Sequence, residues 1–142
     1  MIGDGPDKEK ALKYVNKHKI NRNVVFLGNS NEIDKILCFT DLFLLPSEQE
    51  SFGLAALEAM VHKVPVVCSD AGGLSEVVEN SVSGFLCAVG DINDMTKRSF
   101  EILSDQNKHA EFKENAFKRA RKFDVKNILP KYINLYRKAI ES

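Results

Sequence analysis

No charge of one sign predominates in this chain. Twenty Lys and Arg residues balance twenty Asp and Glu, so bulk electrostatics give no reason to expect a nucleic-acid partner. Basic residues do gather toward the end, from Lys113 to Lys138, but Glu111, Glu114 and Asp124 interrupt them, as on a solvated helix face. Cysteine is scarce. Cys38, Cys68 and Cys87 are odd in number, far apart and set among apolar residues, which argues against a disulfide framework or a zinc site. His18, His62 and His109 have no ligand-like spacing, so no metal is expected. No apolar run approaches the ~20 residues of a membrane span, and the first residues carry no signal-peptide pattern. A cytoplasmic protein with no integral membrane segment is expected. Internal repeats, low-complexity tracts and linkers are also missing.

What remains is ordinary in amount. The 142 residues are 44% apolar and 28% charged, enough for one globular core. Short apolar runs alternate with amphipathic stretches, which predicts an α/β fold with a Rossmann-like parallel sheet and flanking crossover helices. Strands are expected over 24–27, 42–45, 64–68 and 84–87. Helices are expected over 31–39 (capped by Ser30 or Asn31), 52–62, 74–79 and 92–104 (capped by Asp91), then over about 108–122 and 125–140. Met1-Ile2-Gly3-Asp4-Gly5-Pro6 reads as the end of a strand followed by its turn. Two residues are short for a strand, so residues 1–142 are expected to be one domain, truncated at its start, from the carboxyl-terminal part of a longer protein.

In open parallel sheets, ligands bind beyond the carboxyl ends of the strands. Four loops fall there. Gly3-Asp4-Gly5-Pro6 and Gly28-Asn29-Ser30 read first as plain turns and second as ligand loops, and Ser69-Asp70-Ala71-Gly72-Gly73 (with Glu76 just after) reads equally well as either. The fourth, from Ser47 to Glu58, says more. Glu50 stands in the loop after a strand, and Glu58 on the following helix. Between them Ser51, Phe52 and Gly53 offer backbone N–H groups at a helix start, which favours an anion such as phosphate. Phe52, Leu54, Leu57 and Met60 mark an apolar face, and Glu58 falls among Leu54, Leu57 and Val61. A carboxylate near the buried side needs hydrogen-bond donors, and sugar or ribose hydroxyls supply them. Two carboxylates around a phosphate site point to a nucleotide sugar. Glu48 has only the character of a solvent-facing acid.

The motifs occur in a telling order. Gly3-Asp4-Gly5-Pro6 and Phe26-Leu27-Gly28 are followed by 46–54 with Glu58-Ala59-Met60, then Pro65-Val66-Val67, Gly72-Gly73-x-x-Glu76, Gly84-Phe85-Leu86 and Gly90-Asp91. Over nearly the whole chain this resembles the donor-binding domain of the retaining glycosyltransferases of family 4, which have the two-domain GT-B fold. Segments 47–54 and 84–91 are similar to those of members that transfer N-acetylglucosamine from UDP to the hydroxyl of L-malate in bacillithiol biosynthesis.

The resemblance implies roles. Glu50 would bind the donor-sugar hydroxyls and help hold a charge-separated transition state, and Glu58 would accept from the ribose hydroxyls. Ser51, Phe52, Gly53 and Leu54 would meet the sugar and diphosphate through their backbone. Leu27 and Gly28 would lie near the uracil, and Gly3 and Gly5 would form a donor loop. The UDP-sugar would be the donor substrate, with no cofactor and no metal. The basic pair that clamps the diphosphate would precede Met1, as would an acceptor domain binding most of the small-molecule acceptor. A same-fold epimerase or a non-catalytic nucleotide-binding domain is the alternative; no well-placed histidine favours the first, and the presence of both glutamates opposes the second. One departure from the family concerns stability. Lys63 stands where glycine is common, and a left-handed lysine there costs roughly 1 kcal/mol.

Overall fold

The computed structural model describes residues 1–141. They form two compact units, the first spanning Met1–Ile36 and the second beginning at Leu37.

The first unit holds helix α1 (Lys8–Lys17) and most of α2 (Ile33–Leu37). The apolar run at 24–27 is extended but is not one of the sheet's strands. It pairs instead with the first residues of the chain: the Met1 amino group donates to Val25 O (2.6 Å) and Leu27 N–H donates to Met1 O (2.9 Å). Helix α2 is shorter than the expected 31–39, and Ser30 rather than Asn31 makes a capping bond, its Oγ accepting from Glu32 N–H at 3.1 Å.

The second unit is built on three parallel strands in the order β1–β2–β3, namely Phe43–Leu45, Val66–Ser69 and Gly84–Cys87. Phe43 is in register with Val66, and Ser69 with Cys87. All four residues of β2 are buried. That suits a central strand covered on both faces, where an unbroken apolar run is needed rather than alternation. On one face Val67, Phe85 and Cys87 pack with Ile102 of α5 (Ile92–Leu103) and Phe112 of α6 (Gln106–Ala120). The Phe85 and Phe112 rings lie 5.2 Å apart. Helix α3 (Leu54–Val61) packs on β2 and on α6 and buries Ala56, Ala59 and Met60 completely.

Caps set the later boundaries. The Asp91 carboxylate accepts from Asp94 N–H (2.9 Å), starting α5 where expected. Asp105 accepts from the N–H groups of Asn107 and Lys108, so α6 begins two residues ahead of the expected 108. Helix α7 (Val125–Glu141) continues through Pro130 and buries none of its residues. Lys63 does take the left-handed conformation, with φ 59°. Its ammonium pairs with Glu114 and lies over the Phe117 ring, contacts that offset part of the backbone cost.

Candidate functional site

The carboxyl ends of β1 and β2 carry two loops that interlock by backbone. The β1 loop, 46–53, leads into α3; the β2 loop, 70–73, leads into the single turn of α4 (Leu74–Val77). Glu50 joins the two loops through its carbonyl and braces its own loop through its carboxylate. Its carbonyl accepts from Gly73 N–H at 3.1 Å, and its carboxylate accepts from Gly53 N–H at 3.3 Å.

Only glycine fits two of these positions. A Cβ on Gly72 would stand 1.8 Å from the Glu50 carbonyl oxygen, and its φ is +52°. A Cβ on Gly73 would meet Ser51 O at 2.6 Å and Phe52 Cα at 2.7 Å. The glycine pair is therefore a close-packing surface for the glutamate loop. Neither a plain turn nor a direct ligand contact is needed to account for it.

The Glu50 side chain is half-buried at the positive end of α3. Gly53 is the N-cap with φ 96°, and having no side chain it leaves the first turn without a side-chain cap. The N–H groups of Leu54, Ala55 and Ala56 are the ones an α-helix cannot satisfy internally. An anion placed here would find those three donors, while Gly53 N–H is already committed to Glu50. That is a difference from the sequence reading, which counted Gly53 among the donors offered outward.

The second glutamate is not on the buried side. Glu58 is exposed, and so are Leu54 (65%) and Val61 (51%), one turn before and one turn after it along the same face. The buried face is Ala56, Leu57, Ala59 and Met60. That face packs on β2 and α6, and Leu54, Glu58 and Val61 are left outward. Ser51 is exposed and Phe52 is 37% exposed.

Beneath the loop, Cys68 is fully buried at the end of β2. Burial pushes its thiol up to about 12, with smaller contributions from Cys87 and the Glu50 carboxylate. The sign follows directly. The folded chain holds this proton more tightly than the unfolded chain, so the stability it contributes is complete below pH 9 and is lost as pH rises toward 12. Between pH 8 and 11, the stability advantage of wild type over Cys68→Ala should shrink in denaturant titrations. A constant gap would contradict the burial of this thiol.

In the first unit, Gly3 N–H donates to Gly28 O at 2.7 Å, and both glycines have positive φ. Leu27 is half exposed. Gly3 and Gly5, with Asp4, Pro6, Lys8 and Phe26, line an open cavity of about 390 Å³. The Lys8 ammonium lies 3.3 Å from the Asp4 carboxylate across this turn. Among the described residues, no group of three or more His, Cys, Asp or Glu could hold a metal ion, and no helix is long and apolar enough to cross a membrane.

Arg119 and Phe123, which reach α4 and Phe52, carried no signal in the sequence. Their spacing is that of any solvated basic helix with an aromatic after it.

Comparison with known proteins agrees with the parallel-sheet architecture. Residues 1–119 match the family model "Glycosyl transferases group 1". The chain is 35% identical over 137 residues to an N-acetyl-alpha-D-glucosaminyl L-malate synthase of Bacillus anthracis, covering 96% of this chain and 36% of that protein. It is 32% identical over 138 residues to a poly(ribitol-phosphate) alpha-N-acetylglucosaminyltransferase of Staphylococcus aureus, covering 96% of this chain and 28% of that protein. The chain thus spans about a third of the length of these curated relatives. Crystal structures of HepE from Anabaena, in complex with UDP and with UDP-glucose, superpose with TM-score 0.86 at 28% identity, covering 96% of this chain and 40% of that one.

Proposed function

Because the chain belongs to the group 1 glycosyl transferases, we propose that it is the donor-binding part of an enzyme transferring a sugar from a UDP-sugar to an acceptor hydroxyl. One observation carries this reading. Glu50 is held half-buried beside an uncapped helix start, at the carboxyl edge of a parallel sheet. A carboxylate and a row of N–H donors are thereby presented side by side. The carboxylate suits the sugar: it accepts from hydroxyls and opposes positive charge growing on the ring as the bond to the diphosphate lengthens. The donors suit the leaving diphosphate. No step requires a metal or cofactor.

The other site residues follow in the same reading. Glu58, exposed and one turn from Leu54, accepts from the ribose hydroxyls. Ser51, Phe52, Gly53 and Leu54 line the sugar and diphosphate. Leu27 and Gly28 meet the uracil, and the Gly3 and Gly5 turn completes the donor loop. Residues 1–142 form this donor domain, and a further domain of the parent protein binds the acceptor, in the cytoplasm.

Both curated relatives described above are named for N-acetylglucosamine transfer, but with different acceptors. N-acetylglucosamine is therefore the proposed sugar, and an L-malate hydroxyl the proposed acceptor, with retention at the anomeric carbon. An epimerase on this fold would need its own acid–base group in the cleft. His62 does not serve, since its ring Nδ1 lies 2.9 Å from the Glu58 carbonyl on its own helix.

The test is an assay of the full-length parent protein. UDP should be released from UDP-N-acetylglucosamine only when malate is present, and NMR of the product should show the α-anomer. Faster turnover of UDP-glucose would overturn the donor, and a β-product would overturn retention. The isolated 142-residue chain should bind UDP weakly and transfer nothing; transfer to malate by this chain alone would show that no second domain is needed.

A further inference from the structure

We propose that Arg119 and Phe123 are positioning residues that hold the Glu50 loop in register. The proposal concerns the same site and, for its effect on donor binding, rests on the reading given above.

Helix α4 is only four residues long, so it has almost no internal hydrogen bonds to keep it formed. Its carboxyl end is held from outside. Arg119, on the last turn of α6, donates from Nε to Val77 O (2.9 Å) and from Nη2 to Glu76 O (2.5 Å). A guanidinium suits this place because its planar fork reaches two carbonyls at once, and its charge complements the helix end. The other end of α4 begins at Gly73, whose N–H donates to Glu50 O. Arg119 therefore fixes the short element on which the glutamate loop rests.

The same side chain closes the circuit from the other direction. Its guanidinium carbon lies 5.3 Å from the centre of the Phe123 ring. Phe123 in turn meets Phe52 edge to face, with ring centres 5.9 Å apart at 75°. Phe52 is two residues beyond Glu50. A ring of contacts thus runs from Glu50 through Gly73 and α4 to Arg119, then through Phe123 and Phe52 back to Glu50. It stands apart from the apolar cluster of Val67, Phe85, Cys87, Ile102 and Phe112 that holds the sheet to its helices. A network distinct from that cluster, ending on both sides of one carboxylate, has the placement of a positioning device.

The experiment compares Arg119→Gln, Arg119→Lys and Phe123→Leu with Phe112→Leu, which weakens the core without touching the loop. Amide hydrogen exchange is read at Gly53, Gly73 and the β2 amides, and UDP affinity is measured on the full-length parent protein. In Arg119→Gln and Phe123→Leu, exchange at Gly53 and Gly73 should accelerate more than exchange in β2. UDP affinity should fall about three- to tenfold, in the range of coupling through packed networks. Arg119→Lys should recover part of both effects. Phe112→Leu should speed exchange without favouring the loop, and should leave UDP affinity close to wild type. Equal acceleration in loop and strand for Arg119→Gln, or the Arg119→Gln pattern in Phe112→Leu, would overturn the proposal. Failure of the wild-type parent to bind UDP would refute the functional reading, while the exchange pattern would still decide the positioning role.

Discussion

Replacing Glu50 by alanine in the full-length parent protein should lower kcat/KM for the UDP-sugar about a hundredfold or more, the scale for losing one preorganised group that faces developing charge. Replacing Glu48 should change it less than about twofold, because Glu48 is exposed and, among the described residues, no backbone group of the loop donates to its carboxylate. Alanine at 50 does two things together. It removes the carboxylate, and it leaves Gly53 N–H without its acceptor 3.3 Å away. Glu50→Gln separates them, since the amide oxygen can still accept from Gly53 while the negative charge is gone. If charge opposite the sugar is the main contribution, the glutamine variant should be nearly as slow as the alanine variant. If loop geometry dominates, glutamine should restore most of the rate. Equal losses for Glu48 and Glu50 would mean that the wrong carboxylate has been assigned.

The largest loss of stability is expected at Gly72. In Gly72→Ala the new methyl group would stand 1.8 Å from the Glu50 carbonyl oxygen, at a φ of +52°. Backbone on both sides must move, because neither partner is the tip of a flexible side chain. Gly90 provides the control. It has φ +80° and nothing within 4 Å of a new Cβ, so Gly90→Ala incurs only the left-handed penalty of roughly 1 kcal/mol. Gly72→Ala adds overpacking to the same penalty and should cost about 2–4 kcal/mol in all. For a domain of this size that lowers the melting temperature by roughly 10 °C. Donor binding should fall with it, because the strained contact is on the Glu50 backbone itself. Calorimetry of the two variants decides the matter: equal melting points would show that the two loops are not packed as described.

The sequence by itself determined the class of fold and the order of the candidate groups. Strand β3 and the Asp91-capped start of α5 were legible because each depends on local chemistry: an apolar run opened by glycine, or an aspartate before an amphipathic stretch. The loops after β1 and β2 were legible for the same reason, since glycine and proline punctuate them; the turns at 3–6 and 28–30 were legible as turns, but no strand of the sheet precedes them.

The orientation of α3 was not legible. Its sequence, Leu54-Ala55-Ala56-Leu57-Glu58-Ala59-Met60-Val61, is apolar nearly all round, so periodicity cannot choose the inner face. What covers the helix makes that choice. Packing on β2 and α6 takes in Ala56, Leu57, Ala59 and Met60 and leaves Leu54, Glu58 and Val61 outward. Long-range contacts are beyond local pattern in the same way. That Glu50 accepts from Gly73, or that Arg119 reaches α4 across 42 and 43 positions, depends on how the chain returns. Local chemistry, written residue by residue, specified which groups were candidates for a site; only tertiary packing decided which of them are held, by what, and facing which way.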